Sequence, residues 1–172
     1  MKSIKALMDL KGRVAVVTGG AGHVGSAMAE ALAEAGANIA LVDLDQERLD
    51  SVILRIQEKY TVETLALNVD LSSEEATQEI PAKIINHFSR IDILIMCAAL
   101  VGTSDLKGWS VPFKEQSIDT FRKALDVNLT SVFVLVQSAL ESLVASGCGS
   151  VITIGSLYSM LGPDWDLYAG TQ

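Results

Sequence analysis

Two cysteines and two histidines are all the soft metal-ligating chemistry that this 172-residue chain contains. Cys97 and Cys148 stand far apart, with no histidine at ligand spacing, which excludes a disulfide framework and a zinc site as expectations. Proline is scarce, with three residues, and no Pro/Gly/Ser-rich linker divides the chain, so a single domain over residues 1–172 is predicted. Positive charge is also short. Thirteen Lys and Arg face 21 Asp and Glu, a formal net charge of −8 that repels nucleic acid and acidic membrane surfaces. Neither is expected as a partner. No long uninterrupted apolar run is apparent, and Met1 to Gly12 alternates charged and apolar residues instead of forming a secretory signal. The expectation is a cytoplasmic protein acting on a small molecule.

What the chain does have is a regular alternation of strand and helix patterns, the mark of an α/β fold with a parallel sheet and covering helices. Arg13 to Thr18 reads as the first strand, and Val24, Met28, Ala31, Leu32 and Ala35 recur at helical spacing until Gly36. Ile39 to Val42 is the second strand, ending at Asp43. Gln46 to Lys59 is an amphipathic helix, Thr61 to Val69 the third strand, and Ser72 a candidate N-cap for a helix running towards Ser89. Pro81 is expected to bend or split that helix. Ile91 to Ala98 is almost continuously apolar, as a strand buried on both faces would be, and is placed at the sheet centre. Leu100 to Ser117 reads as a loop over the site, Asp119 to Ser146 as a long helix, and Val151 to Gly155 as a fifth strand ending at Ser156.

Between the first strand and its helix lies Thr18-Gly-Gly-Ala-Gly-His-Val-Gly25. Glycines let backbone approach a pyrophosphate, and a helix N-terminus presents unpaired N–H groups to its charge. In an open parallel sheet, ligands lie beyond the carboxyl ends of the strands. The candidates there are Gly19 to Gly25, Asp43, Asp70, Cys97 to Ala99 and Ser156. Asp43 follows Gly25 by 18 positions, near the offset of roughly 20 residues at which an acid accepts hydrogen bonds from the adenosine ribose. A carboxylate there repels a 2′-phosphate and favours NAD over NADP. Asp70, closing the third strand, either ends that strand or contacts adenine.

Five motifs in order resemble the first two thirds of a short-chain dehydrogenase/reductase. They are Thr18-Gly19-x5-Gly25, Asn68-Val69-Asp70-Leu71, Asp92 to Ala99, Val127-Asn128-Leu129 and Ile154-Gly155-Ser156. The resemblance implies a Rossmann-like doubly wound parallel sheet, truncated after about the fifth strand. It places NAD against Gly19, Gly22, His23, Val24, Gly25, Asp43, Asp70, Leu71, Ala98 and Ala99. Hydride would pass between the nicotinamide and an alcohol or carbonyl carbon while a tyrosine moves the proton on oxygen. Ser156 would hydrogen-bond the substrate oxygen, and Asn128 would hold a proton-relay water. The family's tyrosine has a lysine four positions later, yet here Tyr168 is followed by Gln172 and Tyr158 by Gly162. The expectation is a chain whose C-terminal part is missing, inactive as it stands and homo-oligomeric in full-length form.

Two smaller departures stand out. The central strand ends Met96-Cys97-Ala98-Ala99 where the family usually has Asn-Asn-Ala-Gly, so side-chain ties to neighbouring strands are expected to be absent there. Gly19, Gly22 and Gly25 have the spacing of the family's larger sugar-nucleotide branch, and His23 occupies the glycine position of the single-domain branch. The Ser-Leu-Tyr and Gly-Pro-Asp-Trp stretches after Ser156 resemble members tied to bacterial surface sugars, which makes a sugar a candidate substrate. The alternatives are a sugar-nucleotide epimerase or dehydratase, or a non-catalytic NAD-binding remnant.

Overall fold

A computed structural model describes residues 3–101, 106–109, 111–156 and 160–162. Five parallel strands form one sheet: β1 Val14–Thr18, β2 Asn38–Asp43, β3 Thr64–Asn68, β4 Ile93–Met96 and β5 Ser150–Thr153, in the spatial order β3-β2-β1-β4-β5. β1, not β4, is therefore the middle strand, although β4 is also flanked on both sides. The order reverses between β1 and β4, which is the switch point where such sheets bind ligands.

Side-chain alternation divides the core into two layers. Val14, Val16, Ala40, Val42, Leu94 and Met96 face α4 (Glu74–Phe88) and α6 (Ser131–Ala145), where Ile80, Ile84, Leu135, Ala139 and Leu143 complete the packing. The intervening residues Ala15, Val17, Ile39, Leu41, Ile93 and Ile95 face α2 (His23–Glu34) and α3 (Gln46–Lys59), through Ala29, Ala33, Leu49, Val52 and Ile56. A short first helix, α1 (Ile4–Leu7), precedes the sheet. Helices thus cover both faces, as the right-handed βαβ crossover requires.

Local chemistry shifts several expected boundaries. β4 is shorter than the apolar run because its flanks bond side chains: Ile91 N–H donates to Ser142 Oγ, and Cys97 and Ala98 N–H donate to Thr18 Oγ1. The N-cap of α4 is Ser73, whose Oγ accepts from Ala76 N–H, while Ser72 turns to Asp70. Pro81 does not split α4. Its ring is buried, and the packing of Ile80 and Ile84 on the sheet holds the turn that lost a hydrogen bond. The long helix is α5 (Ile118–Leu125) joined to α6 through a π-turn, Asp126–Thr130.

The reading of no long apolar span also needs correction. Ile118–Ala145 is one 28-residue helical rod, long and apolar enough by length and composition to cross a membrane. Leu135, Ala139 and Leu143 nevertheless pack in the core, the place of a sheet-covering helix. Its other side exposes Phe121, Leu129, Phe133, Leu140 and Val144, and β5 is exposed along its whole length.

A buried carboxylate paired with a half-exposed arginine ties the amino ends of the strands. Asp92 is fully buried, accepts Val14 N–H at 2.9 Å and receives both Nε and Nη2 of Arg90. Its own N–H donates to Val14 O, and its carbonyl accepts Ser150 N–H. One residue thereby fixes the register of β1, β4 and β5 at the end opposite the candidate site.

Candidate cofactor-binding site

The turn after β1 is held by contacts that only glycine permits at two positions. Gly19 has φ +65°, and a Cβ there would lie 2.8 Å from Ala98 backbone atoms. A Cβ on Gly25 would lie 2.2 Å from the Gly19 carbonyl oxygen. The helix therefore presses directly on the turn, and β1 presses on the segment after β4. Gly22 is the N-cap of α2 and supplies no side-chain cap, so His23, Val24 and Gly25 begin the helix with first-turn amides that no side chain caps. His23 is exposed at that mouth.

Asp43 reaches back to this turn. Its Oδ2 accepts Ala21 N–H at 3.0 Å, and Oδ1 accepts Leu44 N–H at 2.7 Å. The carboxylate stays beside the glycine turn, with lone pairs left for further donors. Asp70 is fixed differently: Oδ1 accepts both the Ser72 hydroxyl, at 2.7 Å, and the Ser72 N–H, at 2.9 Å. Those bonds, the hydroxyl's first, hold its carboxyl below the usual carboxylate range, and the charge of Lys123 adds to the effect.

These groups meet in a cleft of about 160 Å³ at the carboxyl ends of the strands. Gly19, Asp43, Asp70, Leu71, Ala98 and Ala99 line it, all six expected from the sequence. Leu100, the first residue of the loop expected over the site, also lines it, and so do Leu44, Lys123 and Val127, which were not anticipated. The signal for the last two was present, since Lys123 and Val127 are one helical turn apart and lead directly to Asn128. A larger cleft of about 320 Å³ shares Leu71 with it, but Glu74, Glu75 and Asp126 in its wall make it a poor host for an anionic pyrophosphate.

Thr18 supplies the tie that the missing asparagines left open. Its Oγ1 accepts from Cys97 and Ala98 N–H at 3.1 and 3.2 Å, which locks the end of β4 to β1. Burial pushes the Cys97 thiol up, so it serves here as a small neutral residue. Asn128 lies within the π-turn, closed by Ser131 N–H donating to Asp126 O. Its Oδ1 accepts Leu100 N–H at 2.6 Å and its Nδ2 donates to Leu100 O at 3.3 Å. Asn128 thus positions a wall of the cleft from behind. Ser156 is exposed, just past β5, which ends at Thr153, sooner than expected. Tyr158, Tyr168 and Gln172 lie outside the described residues, as do the stretches read for a sugar substrate apart from Ser156 and Gly162.

The geometry, a glycine cradle at the switch point of a parallel sheet, is one shared by many nucleotide-binding proteins. A family profile decides among them: that of the short chain dehydrogenases matches residues 13–171. The chain belongs to the short-chain dehydrogenase family. Among similar short-chain dehydrogenases, the 2,5-dichloro-2,5-cyclohexadiene-1,4-diol dehydrogenase of Sphingobium indicum is 31% identical over 88% of this chain and 57% of its own length. The 2-dehydro-3-deoxy-D-gluconate 5-dehydrogenase of Formosa agariphila is 31% identical over 91% of this chain and 56% of its own. An NAD+-bound xylitol dehydrogenase superposes with a TM-score of 0.78 at 29% identity, over 89% of this chain and 56% of that one. A metagenomic short-chain oxidoreductase in complex with NADP superposes with a TM-score of 0.77 at 28% identity, over 86% and 64%. The chain therefore spans a little over half the length of these relatives. Family members of this kind are oxidoreductases that bind nicotinamide cofactors, and both NAD and NADP occur among the neighbours.

Proposed function

We propose that residues 1–172 form the NAD-binding half of an oxidoreductase acting on an alcohol or carbonyl substrate. The observation that carries NAD over NADP is the Asp43 carboxylate, fixed against the glycine turn by Ala21 N–H, where it would accept the ribose hydroxyls and repel a 2′-phosphate. The residues fit the dinucleotide: the Gly19 to Gly25 cradle, which a Cβ would fill, and the uncapped first turn of α2 suit its pyrophosphate. Asp70 and Leu71 suit its adenine, and Ala98 and Ala99 its inner half. When bound, the nicotinamide would give or take up the hydride.

Around it, this chain's own groups orient and relay. Ser156 would donate a hydrogen bond to the substrate oxygen. Beyond its two bonds to Leu100, the Asn128 amide keeps one Oδ1 lone pair and one Nδ2 N–H, with which it would hold a relay water. Proton transfer on oxygen needs a tyrosine made acidic by a neighbouring lysine, and no Tyr-x-x-x-Lys follows Ser156 within these residues. The 172 residues alone are therefore expected to bind the cofactor without turning over an alcohol. A sugar or other polyol is the substrate class that the xylitol and gluconate dehydrogenases suggest. For the working oxidoreductase, a homo-oligomer in the cytoplasm is proposed. Titration with NADH and NADPH tests the reading: tighter NADH binding is expected, with NADPH gaining in Asp43→Ser, and tighter NADPH binding by the unaltered chain would overturn it.

A further inference from the structure

Lys123 is the cleft-lining residue that the cofactor reading leaves without a task. It lies on α5 one turn before Val127, and both residues line the same cleft as Asp70 and Leu71. Its neighbour Arg122 pairs with Asp119 at 3.4 Å, whereas no described residue forms an ion pair or hydrogen bond with the Lys123 side chain. Asp70 has a matching vacancy, because both bonds it accepts go to Oδ1 and none of the described residues bonds Oδ2. The Lys123 charge adds to the Ser72 hydrogen bonds in holding the Asp70 carboxyl low, and no direct ion pair joins the two side chains. The cleft that both line also carries the aliphatic side chains of Val69, Leu71, Leu100 and Val127, with Asp43 beside the glycine turn as its other charge.

The geometry points to Lys123 as a clasp on the adenine end of the cofactor: with the ring in the cleft, the lysine stem lies across its outer side and the ammonium pairs with Asp70 Oδ2. This inference rests on the dinucleotide reading above and names Lys123 as a positioning residue within it. A lysine suits the task because its four methylenes cover apolar surface while the charge stays at the water boundary. The cation also gains from the face of an aromatic ring. In the empty cleft the same pairing has nothing to close over, and a solvated lysine keeps its rotamer entropy. Binding and ion pairing are thus coupled through one side chain.

Four variants test the clasp by NADH titration, with thermal melting to confirm that each is folded. Lys123→Met keeps the stem and loses the charge, and should weaken NADH by about two- to fivefold, the size of one partly screened ion pair. Lys123→Ala, which loses the stem as well, should weaken it further. Asp70→Asn should weaken it at least as much as Lys123→Met, and the double variant Asp70→Asn/Lys123→Met should bind no worse than Asp70→Asn alone. If Lys123→Met binds NADH as the unaltered chain does, or if the two losses simply multiply, the clasp is overturned while the cofactor reading stands. If the unaltered chain binds neither NADH nor NADPH, both fall together.

Discussion

Replacing Thr18 with valine deletes one oxygen atom and leaves the shape of the side chain almost unchanged, so its effect isolates two hydrogen bonds. Thr18 is 1% exposed, and its Oγ1 is the acceptor for Cys97 N–H and Ala98 N–H. Both amides are partly buried and would lose a partner. A fully buried unsatisfied donor costs about 1–3 kcal/mol, and partial access to water brings these two to the lower end, about 2 kcal/mol together. For a domain of this size each kcal/mol moves the melting temperature by about 2–4 °C, so Thr18→Val should melt about 4–8 °C below the parent. The loss should reach the cleft as well, since Ala98 lines it and abuts Gly19. Urea unfolding gives the stability and NADH titration the binding, with Thr18→Ser, which keeps the oxygen, expected to restore most of both. If Thr18→Val unfolds within about 0.5 kcal/mol of the parent, the hydroxyl does not lock the end of β4.

Gly25→Ala should abolish dinucleotide binding, because its Cβ would press to 2.2 Å from the Gly19 carbonyl and displace the turn; Gly162→Ala, with open space around it, should bind normally in the same titration. Arg90→Met should cost about 1–2 kcal/mol in urea unfolding, since the buried Asp92 carboxylate loses its charged partner but keeps Val14 N–H and the arginine was half-exposed, and unchanged stability would refute the structural weight given to that pair. Acid should destabilise the fold through Glu30, whose carboxyl is held low first by the hydrogen bond from Lys59 and then by Arg55, and through Asp70. Both carboxyls are more acidic folded than unfolded, so their contribution is complete above the usual carboxylate range and fades as pH falls below about 4.5 towards the folded values. A series of melts from neutral to acid pH should show this, and Glu30→Gln should flatten the acid limb.

The sequence made the strands legible because β-branched runs such as Val14 to Thr18 have no other stable use next to a glycine turn. It made Asp43 and Asp70 legible because each stands where a strand must end at the switch point. The limits of β4 were not legible: they are set by Thr18 and Ser142 hydroxyls from distant segments, and a hydroxyl's partner cannot be seen in a one-dimensional pattern. Pro81 misled for a related reason, since tertiary packing of Ile80 and Ile84 outweighs a local hydrogen bond. Lys123 passed unnoticed because its charge marks it as surface, while its position one turn from Val127 turns it towards the cleft.

The π-turn between α5 and α6 has a consequence for how this helix can change. A regular helix advances about 100° per residue, so the one extra residue in Asp126–Thr130 sets the angular phase of everything before it relative to everything after. Shortening that turn by one residue would yield an unbroken α-helix with better internal hydrogen bonding. It would also swing Lys123 about 100° away from Asp70 while leaving Leu135, Ala139 and Leu143 seated in the core. Insertions and deletions here are therefore rotations, not changes of length, and the helix has one phase at which its core face and its cleft face are both correctly aimed.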